Sequence, residues 1–331
     1  MAEYIEKKEQ LKKLETQIAN IEKEVDIIPK NTVISYGKDW IDFQRWCEYM
    51  GLERLPASYD TITKYLLDLQ LNKKLKINTL KRRLSTIAVM HRRANHNFDR
   101  KNEVLENCVK LLKKREKNIP QKAPPLLLDD LKKIIDQINK DIYLEKSKLI
   151  HYRDKALICL AWFGAFRRSE VAEMEIRNIT IHENQGLEIF LDKSKTDQEG
   201  KKIPRALNKS NDPKSNYCPM KNYKELIDIS GISEGKVFRQ INKSNSINYE
   251  NLSDKSVSEI LKYRAIKANV NINKLSGHSF RSGLVTELLK SGATESEIME
   301  ITQHSSIEMV REYKREVNLF DTAVKRLKID Y

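Results

Sequence analysis

His278, Arg281, His304 and Tyr313 follow one another in the last third of the chain, and Arg167-Arg168-Ser169-Glu170 lies far upstream of them. These residue types have places in one reaction, the cleavage of a phosphodiester by a tyrosine hydroxyl. A guanidinium clamps a phosphate through paired N–H donors. An imidazole moves a proton near neutral pH. A tyrosine oxygen becomes a covalent nucleophile once a base and a positive field act on it.

Local elements must bring these groups together. In Ser276-Gly-His278-Ser-Phe-Arg281 the His and Arg are three residues apart, which puts both on one face of a helix. Ser305-x-x-Glu308 forms a capping box that starts a helix just after His304, with Tyr313 roughly two turns into it. Arg-x-Ser-Glu suits a helix start, with Ser as cap and Glu favoured by the dipole. Each piece also has a plainer reading: a capping His beside a surface Arg, or a packed helical Tyr beside Met309 and Val310. The ordered set is what points to phosphate chemistry.

The composition frames this. Hydrophobic residues make up 40% of the 331 positions, glycines number ten and aromatics 7%, which favours a mainly helical protein long enough for two cores. No apolar run approaches the roughly 20 residues that span a bilayer. The start, Met-Ala-Glu-Tyr-Ile-Glu-Lys-Lys, holds no apolar signal core, so the expected location is the cytoplasm. Cys47, Cys108, Cys159 and Cys218 are scattered without a C-x-x-C pair, which implies reduced thiols and neither a disulfide framework nor a zinc site. The net charge of +14 is unevenly spread. Residues 1–30 carry 6 Lys against 7 Asp or Glu, whereas residues 71–118 carry 15 Lys or Arg against 4 Asp or Glu, a local balance of +11. Ordinary solvated helices can look like this, but the block suits a polyanion, and nucleic acid is the usual one.

Residues 3–27 read as a charged helix with a narrow apolar stripe, Leu11, Leu14, Ile18, Ile21 and Val25, of no assigned role. A helical unit follows over residues 31–117. Its first helix buries Trp40, Phe43, Trp46, Cys47 and Met50 and stops at Gly51; these aromatics recur at helical spacing and belong to a core. Further helices are expected at Tyr59–Leu71, Asn78–Asn97 and Glu103–Lys117. The third turns Leu80, Leu84, Ile87, Ala88 and His91 inward and displays Lys81, Arg82, Arg92 and Arg93, the candidate DNA-binding residues. The segment 118–125 has three prolines in six positions and reads as an extended linker. A second domain spans 126–331, with helices at Asp129–Asn139 and Leu149–Trp162. Short strands come next, at Ile179–Ile181, Leu187–Leu191 and Lys202–Leu207, with a turn at Glu183–Gly186 and a polar loop at Lys193–Lys202. Helices return at Lys221–Ile229, Ser256–Asn269, Ser279–Ser291, Glu295–Thr302 and Ser306–Glu316. The expected fold is mainly α with a small antiparallel β-sheet, a basic helical domain and a larger domain together enclosing a duplex.

Gly164-Ala-Phe-Arg167-Arg-Ser-Glu170-Val resembles the first arginine box of the tyrosine recombinases, the phage integrase family, whose pattern is Gly-Leu-Arg-x-Ser-Glu-Leu. Matching on the Ser-Glu pair selects Arg167 over Arg168. His278-Ser-Phe-Arg281 resembles the family's His-x-x-Arg box, and His304 with Tyr313 nine residues on resembles its second histidine and nucleophile. The family often has Gly before that histidine, where this chain has Gln303. Asp192-Lys-Ser-Lys195-Thr-Asp197 resembles the family's lysine loop and selects Lys195.

The resemblance implies a C-shaped clamp around DNA, built from a helical core-binding domain and the catalytic domain. It also implies site-specific recombination through a 3′-phosphotyrosine, without metal, cofactor or ATP. By carry-over Arg167 and Arg281 hold the phosphate, and Glu170 supports them. Lys195 protonates the leaving 5′ oxygen, His278 takes the tyrosine proton, His304 bonds the phosphate and Tyr313 attacks. Implied partners are double-stranded DNA and further copies of the chain, a tetramer joined through a tail helix over 319–329, with room for an accessory DNA-bending or directionality protein. Rival readings are a tyrosine-type relaxing topoisomerase and a catalytically silent DNA-binding regulator of the same fold. A metal held by His278 and His304 lacks a third ligand at helical spacing.

Overall fold

A computed structural model of the chain describes residues 30–116, 123–145, 148–191, 204–242, 244–270, 275–303 and 306–317. The expected N-terminal helix, most of the linker, the loop with Lys195, His304 and the tail at 319–329 lie outside the described residues. The chain divides into two compact units between Gln121 and Lys122.

The first unit is helical: α1 (Lys30–Met50), α2 (Tyr59–Leu71), α3 (Ile77–Arg93) and α4 (Glu103–Arg115). Ser58 Oγ accepts from the Thr61 amide at 3.0 Å to start α2, and Asn102 Oδ1 accepts from Val104 at 3.0 Å to start α4. Acidic Glu103 and Glu106 open α4 and basic Lys113, Lys114 and Arg115 close it, which complements the helix dipole. The aromatic stripe of α1 packs inward as expected: Phe43 lies 4.9 Å edge-on to Tyr65 and 5.6 Å from Trp40. Met50 departs from that expectation and is exposed, because it ends the helix. There the Gly51 and Leu52 amides turn back to the Glu48 and Cys47 carbonyls.

The second unit begins with α5 (Leu128–Leu144) and α6 (Leu149–Phe163). The first runs five residues past its expected end. Helix α6 is buried on every side along most of its length, which marks it as the central helix. The short α7 (Arg168–Ala172) follows a tight turn and leads through a 3-10 turn into an antiparallel sheet. Its strands are β1 (Ile179–His182), β2 (Gly186–Ile189) and β3 (Arg205–Asn208), in that spatial order. After α8 (Pro219–Ser230) comes a hairpin that the sequence pattern did not reveal, β4 (Arg239–Ile241) with β5 (Ile247–Asn251). The helices α9 (Asp254–Lys267), α10 (His278–Lys290), α11 (Glu295–Thr302) and α12 (Ile307–Val317) complete it. No described helix is long and apolar enough to cross a membrane.

Two packing features fix the position of α10. The Leu126 amide donates to the Ser279 carbonyl at 2.9 Å, and the Leu126 carbonyl accepts from Trp162 Nε1 at 2.8 Å. That carbonyl also passes so close to Gly283 that a Cβ there would sit 2.0 Å from it, so only glycine admits the Leu126 segment onto the helix. On its other side α10 meets α11 and α12 in a small separate core of Val285, Leu289, Ile298, Val310 and Tyr313.

Behind the apolar core lies a buried ionic cluster. Arg264 on α9, 1% exposed, donates to Asp154 Oδ2 at 2.7 Å, to Asp141 Oδ2 at 2.9 Å, and meets His151 Nδ1 at 2.9 Å. It ties α9 to α5 and α6, and every buried charge in it has a partner, as burial requires.

Candidate active site

The turn from α6 to α7 is the centre of the site. Gly164 ends α6, and a Cβ on it would lie 2.1 Å from the Phe166 ring. Ala165 takes the left-handed conformation at φ +47°, a geometry that costs a residue with a side chain of order 1 kcal/mol. The turn aims two successive carbonyls at two arginines: Gly164 O accepts from Arg205 Nη1 at 2.9 Å, and Ala165 O accepts from Arg281 Nη1 at 3.1 Å. Arg167 follows as the residue preceding α7. Glu170, the third residue of that helix, reaches back to the Arg167 amide at 2.9 Å. Arginine has no acceptor, so it cannot return the bond as Ser or Thr would in a capping box. The expected cap, Ser169, is instead an exposed residue inside α7.

Glu170 is 4% exposed and serves two guanidinium groups, Arg167 Nη1 at 2.7 Å and Arg205 Nη1 at 3.2 Å. Burial alone would push its carboxyl up. Arg205, the Arg167 amide and the Arg167 guanidinium outweigh that and hold it below the usual 4.5. Of the neighbouring arginines, Arg167 faces this cluster while Arg168 turns outward to Asp254 at 3.1 Å. Arg281, 2% exposed, pays for the crowding. Burial, then Arg167, then Arg205 push its guanidinium down to about 9, with Glu170 only partly offsetting them. Three arginines around one carboxylate leave an excess of positive charge, the condition in which an anion is taken up.

His278 opens α10 and is exposed, one turn before Arg281 on the same face. Its Nε2 lies 2.8 Å from Tyr313 Oη, the two rings 6.5 Å apart between centroids. Tyr313 is 8% exposed and seated in the core that joins α10, α11 and α12. Ser306 Oγ accepts from the Glu308 amide at 3.2 Å at the start of α12, one residue after the expected cap, Ser305, which lies outside the described residues. Gln303 ends α11 in the left-handed conformation, φ 53° and ψ 47°. Glutamine therefore adopts the backbone that a glycine would take more easily, and its Oε1 accepts from Arg205 Nη2 at 3.4 Å.

The structure thus assembles Arg167, Glu170, His278, Arg281 and Tyr313, which come from three separate stretches of chain; Lys195 and His304 are outside the described residues. It adds Arg205, which the sequence reading did not single out. A signal was present: in a strand with Leu207 inward, period two turns residue 205 inward as well. In the first unit Lys81, Arg92 and Arg93 are exposed, but Arg82 is bound to Asp39 Oδ2 at 2.6 Å and bridges α3 to α1.

The family model of the phage integrase family matches residues 125–318. Over 306 residues the chain is 35% identical to an integrase/recombinase XerD homolog of Selenomonas ruminantium, across 90% of this chain and 85% of that protein. It is 23% identical over 296 residues to the tyrosine recombinase XerD of Rickettsia bellii, across 86% and 88%. Among solved structures, the Tn1549 transposon integrase in complex with transposon right end DNA is similar with a TM-score of 0.64 at 14% identity, across 94% of this chain and 97% of that one. The XerH site-specific recombinase bound to its difH substrate gives 0.60 at 16% identity, across 94% and 83%. At these identities the structural likeness is one of fold; the family match and the 35% relative carry the assignment, and the chain belongs to the phage integrase family of tyrosine recombinases.

Proposed function

We propose that the chain cleaves and rejoins duplex DNA at specific sites through a 3′-phosphotyrosine on Tyr313. The observation that supports this most is the 2.8 Å approach of Tyr313 Oη to His278 Nε2 beside a cluster of three arginines and one glutamate. Tyr313 Oη attacks phosphorus as the bond to the 5′ oxygen breaks. His278 takes the tyrosine proton, and Lys195 protonates the leaving oxygen. Arg167 and Arg281 balance charge on the non-bridging oxygens, the part a metal ion plays in many nucleases. His304 adds a hydrogen bond. The phosphodiester energy stays in the tyrosine ester, so a partner strand's 5′ hydroxyl reverses the step without ATP or another cofactor.

In this reading the first unit grips the DNA backbone through Lys81, Arg92 and Arg93. Residues 319–329 dock on a neighbouring copy; a solved lambda integrase forms a tetramer on a Holliday junction. The protein acts in the cytoplasm, where chromosomal DNA is reached directly. Removing residues 319–329 should impair recombination more than binding to a single site, and equal loss of both would remove the docking role.

Nicked duplexes drawn from DNA flanking the coding sequence test the chemistry. Wild-type protein should form a covalent adduct that withstands denaturing electrophoresis, and Tyr313→Phe should bind the same DNA without forming one. Binding without any wild-type adduct would instead favour a silent regulator.

A further inference from the structure

Arg205 stands in the middle of the site, yet it is aimed at protein groups rather than outward. It is 4% exposed and lies on β3 opposite Ile189. Its guanidinium stacks over the Phe166 ring at 4.6 Å, donates to Gly164 O at 2.9 Å, meets Glu170 Oε2 at 3.2 Å and donates to Gln303 Oε1 at 3.4 Å. A buried arginine is costly unless its donors are met; here both terminal nitrogens are met, by the 164–170 turn and by Gln303, while Nε has no hydrogen-bond partner among the described residues. Those segments carry Arg167, the carbonyl that holds Arg281, and the residue just before His304.

We propose that Arg205 is a positioning residue of the cleavage reaction, sharing the Glu170 carboxylate with Arg167 and pinning the Gln303 turn beside it. Glu170 has one negative charge for two guanidinium groups. Arg205 shares Oε2 with the Arg167 amide, while the Arg167 guanidinium is held at Oε1; that guanidinium is only partly neutralised, so its other donors remain available to a phosphate. Without Arg205 the whole carboxylate charge falls on Arg167, and the pull of the site on the developing phosphorane charge weakens. The left-handed Gln303 loses the side-chain contact on its amide oxygen at the same time. Both effects act on the transition state more than on DNA affinity, which backbone contacts elsewhere supply.

This inference rests on the phosphotyrosine reading, so wild-type adduct formation on the nicked flanking duplexes is measured first; if none forms, both fall together. Single-turnover cleavage then separates the limiting rate from the DNA concentration at half saturation. Arg205→Met should lower the limiting rate at least ~100-fold, as loss of one preorganised electrostatic contributor does, with half saturation within about threefold of wild type. Arg205→Lys keeps a charge facing Glu170 but loses the fork, and should recover about a tenth of the wild-type rate. A wild-type adduct with Arg205→Met within threefold of the wild-type rate overturns the proposal. So does a loss of rate and affinity in equal proportion, which marks a merely structural brace. If Arg205→Met fails to fold, Arg205→Lys decides alone: a roughly tenfold slower limiting rate at unchanged half saturation supports the role, and a wild-type rate removes it.

Discussion

Tyr313 Oη lies 2.8 Å from His278 Nε2 although 35 residues separate them, because α10 and α12 share the apolar core of Val285, Leu289 and Val310. The hydroxyl is seated by that packing beside the imidazole. If His278 takes the tyrosine proton, His278→Ala should slow adduct formation by ~10²–10⁴-fold, the usual span for a general base, while leaving DNA affinity unchanged. Single-turnover rates at saturating DNA check this; a loss of less than threefold would remove His278 from proton transfer.

Burial and the crowding of Arg281 by Arg167 and Arg205 make its charge an electrostatic liability. A base whose folded value is pushed down to about 9 weakens the folded state at every pH below about 9, and the penalty eases as pH rises through that value. A bound oxyanion offsets it. Inorganic phosphate should therefore raise the melting temperature of the wild type more than chloride does at equal ionic strength. Arg281→Met should lose that difference; its persistence would show that the phosphate acts elsewhere.

Glu170 carries the opposite sign. Its carboxyl is held below 4.5, so the stability it contributes is fully present above pH 4.5 and is lost as pH falls through the lower folded-state value. The gap in urea midpoint between wild type and Glu170→Gln should be constant from pH 5 to 7 and close below about 4.5. A gap that does not change with pH would mean that Glu170 acts through packing alone.

Much of this arrangement was legible before folding. Helical spacing gave the inward faces of α1 and α3, and the three-residue step from His278 to Arg281 placed both on one turn of α10. Arg205 was obscured because its partners, Gly164, Glu170 and Gln303, stand 41, 35 and 98 residues away, and no local period encodes such a meeting. The β4–β5 hairpin was obscured for a related reason: Arg239-Gln-Ile and Ile247-Asn-Tyr-Glu-Asn offer few apolar positions to alternate, and pairing rather than propensity makes them strands. Met50 failed as a core residue because periodicity cannot say where a helix leaves the core.

The basic residues of α3 differ in what they meet: Lys81, Arg92 and Arg93 are exposed, while Arg82 is paired. Arg82 joins Asp39, which is 4% exposed and whose carboxyl burial pushes up despite Arg82 and Arg83. Arg82→Ala should cost about 1–2 kcal/mol of stability, the loss of a hydrogen-bonded partner to a buried carboxylate. Lys81→Ala, Arg92→Ala and Arg93→Ala should each leave stability within about 0.5 kcal/mol, while lowering the slope of log affinity against log salt by about one. Chemical denaturation beside salt-dependent DNA binding separates the classes. An unchanged salt slope in all three alanine variants would move the DNA contact off α3.

Arg264 offers the sharpest test of the frame behind the site. It sits between Asp141 on α5 and Asp154 on α6, at 2.9 and 2.7 Å, and its hydrogen-bond partners, these two and His151, are none of the residues proposed to act on phosphate. Lys267 also reaches Asp141 at 3.3 Å, and Arg153 grips Asp154 through two nitrogens at 2.8 and 2.6 Å. Neither can replace a guanidinium that serves both carboxylates and the His151 ring from one position. Arg264→Met should therefore destabilise the protein by about 3–5 kcal/mol, because it strands buried charge. The protein that remains folded should cleave at the wild-type rate. Equilibrium unfolding, read together with cleavage normalised to the folded fraction, checks both halves. A cost under about 1 kcal/mol would mean that Lys267 and Arg153 suffice for the two carboxylates and that Arg264 is redundant in the cluster.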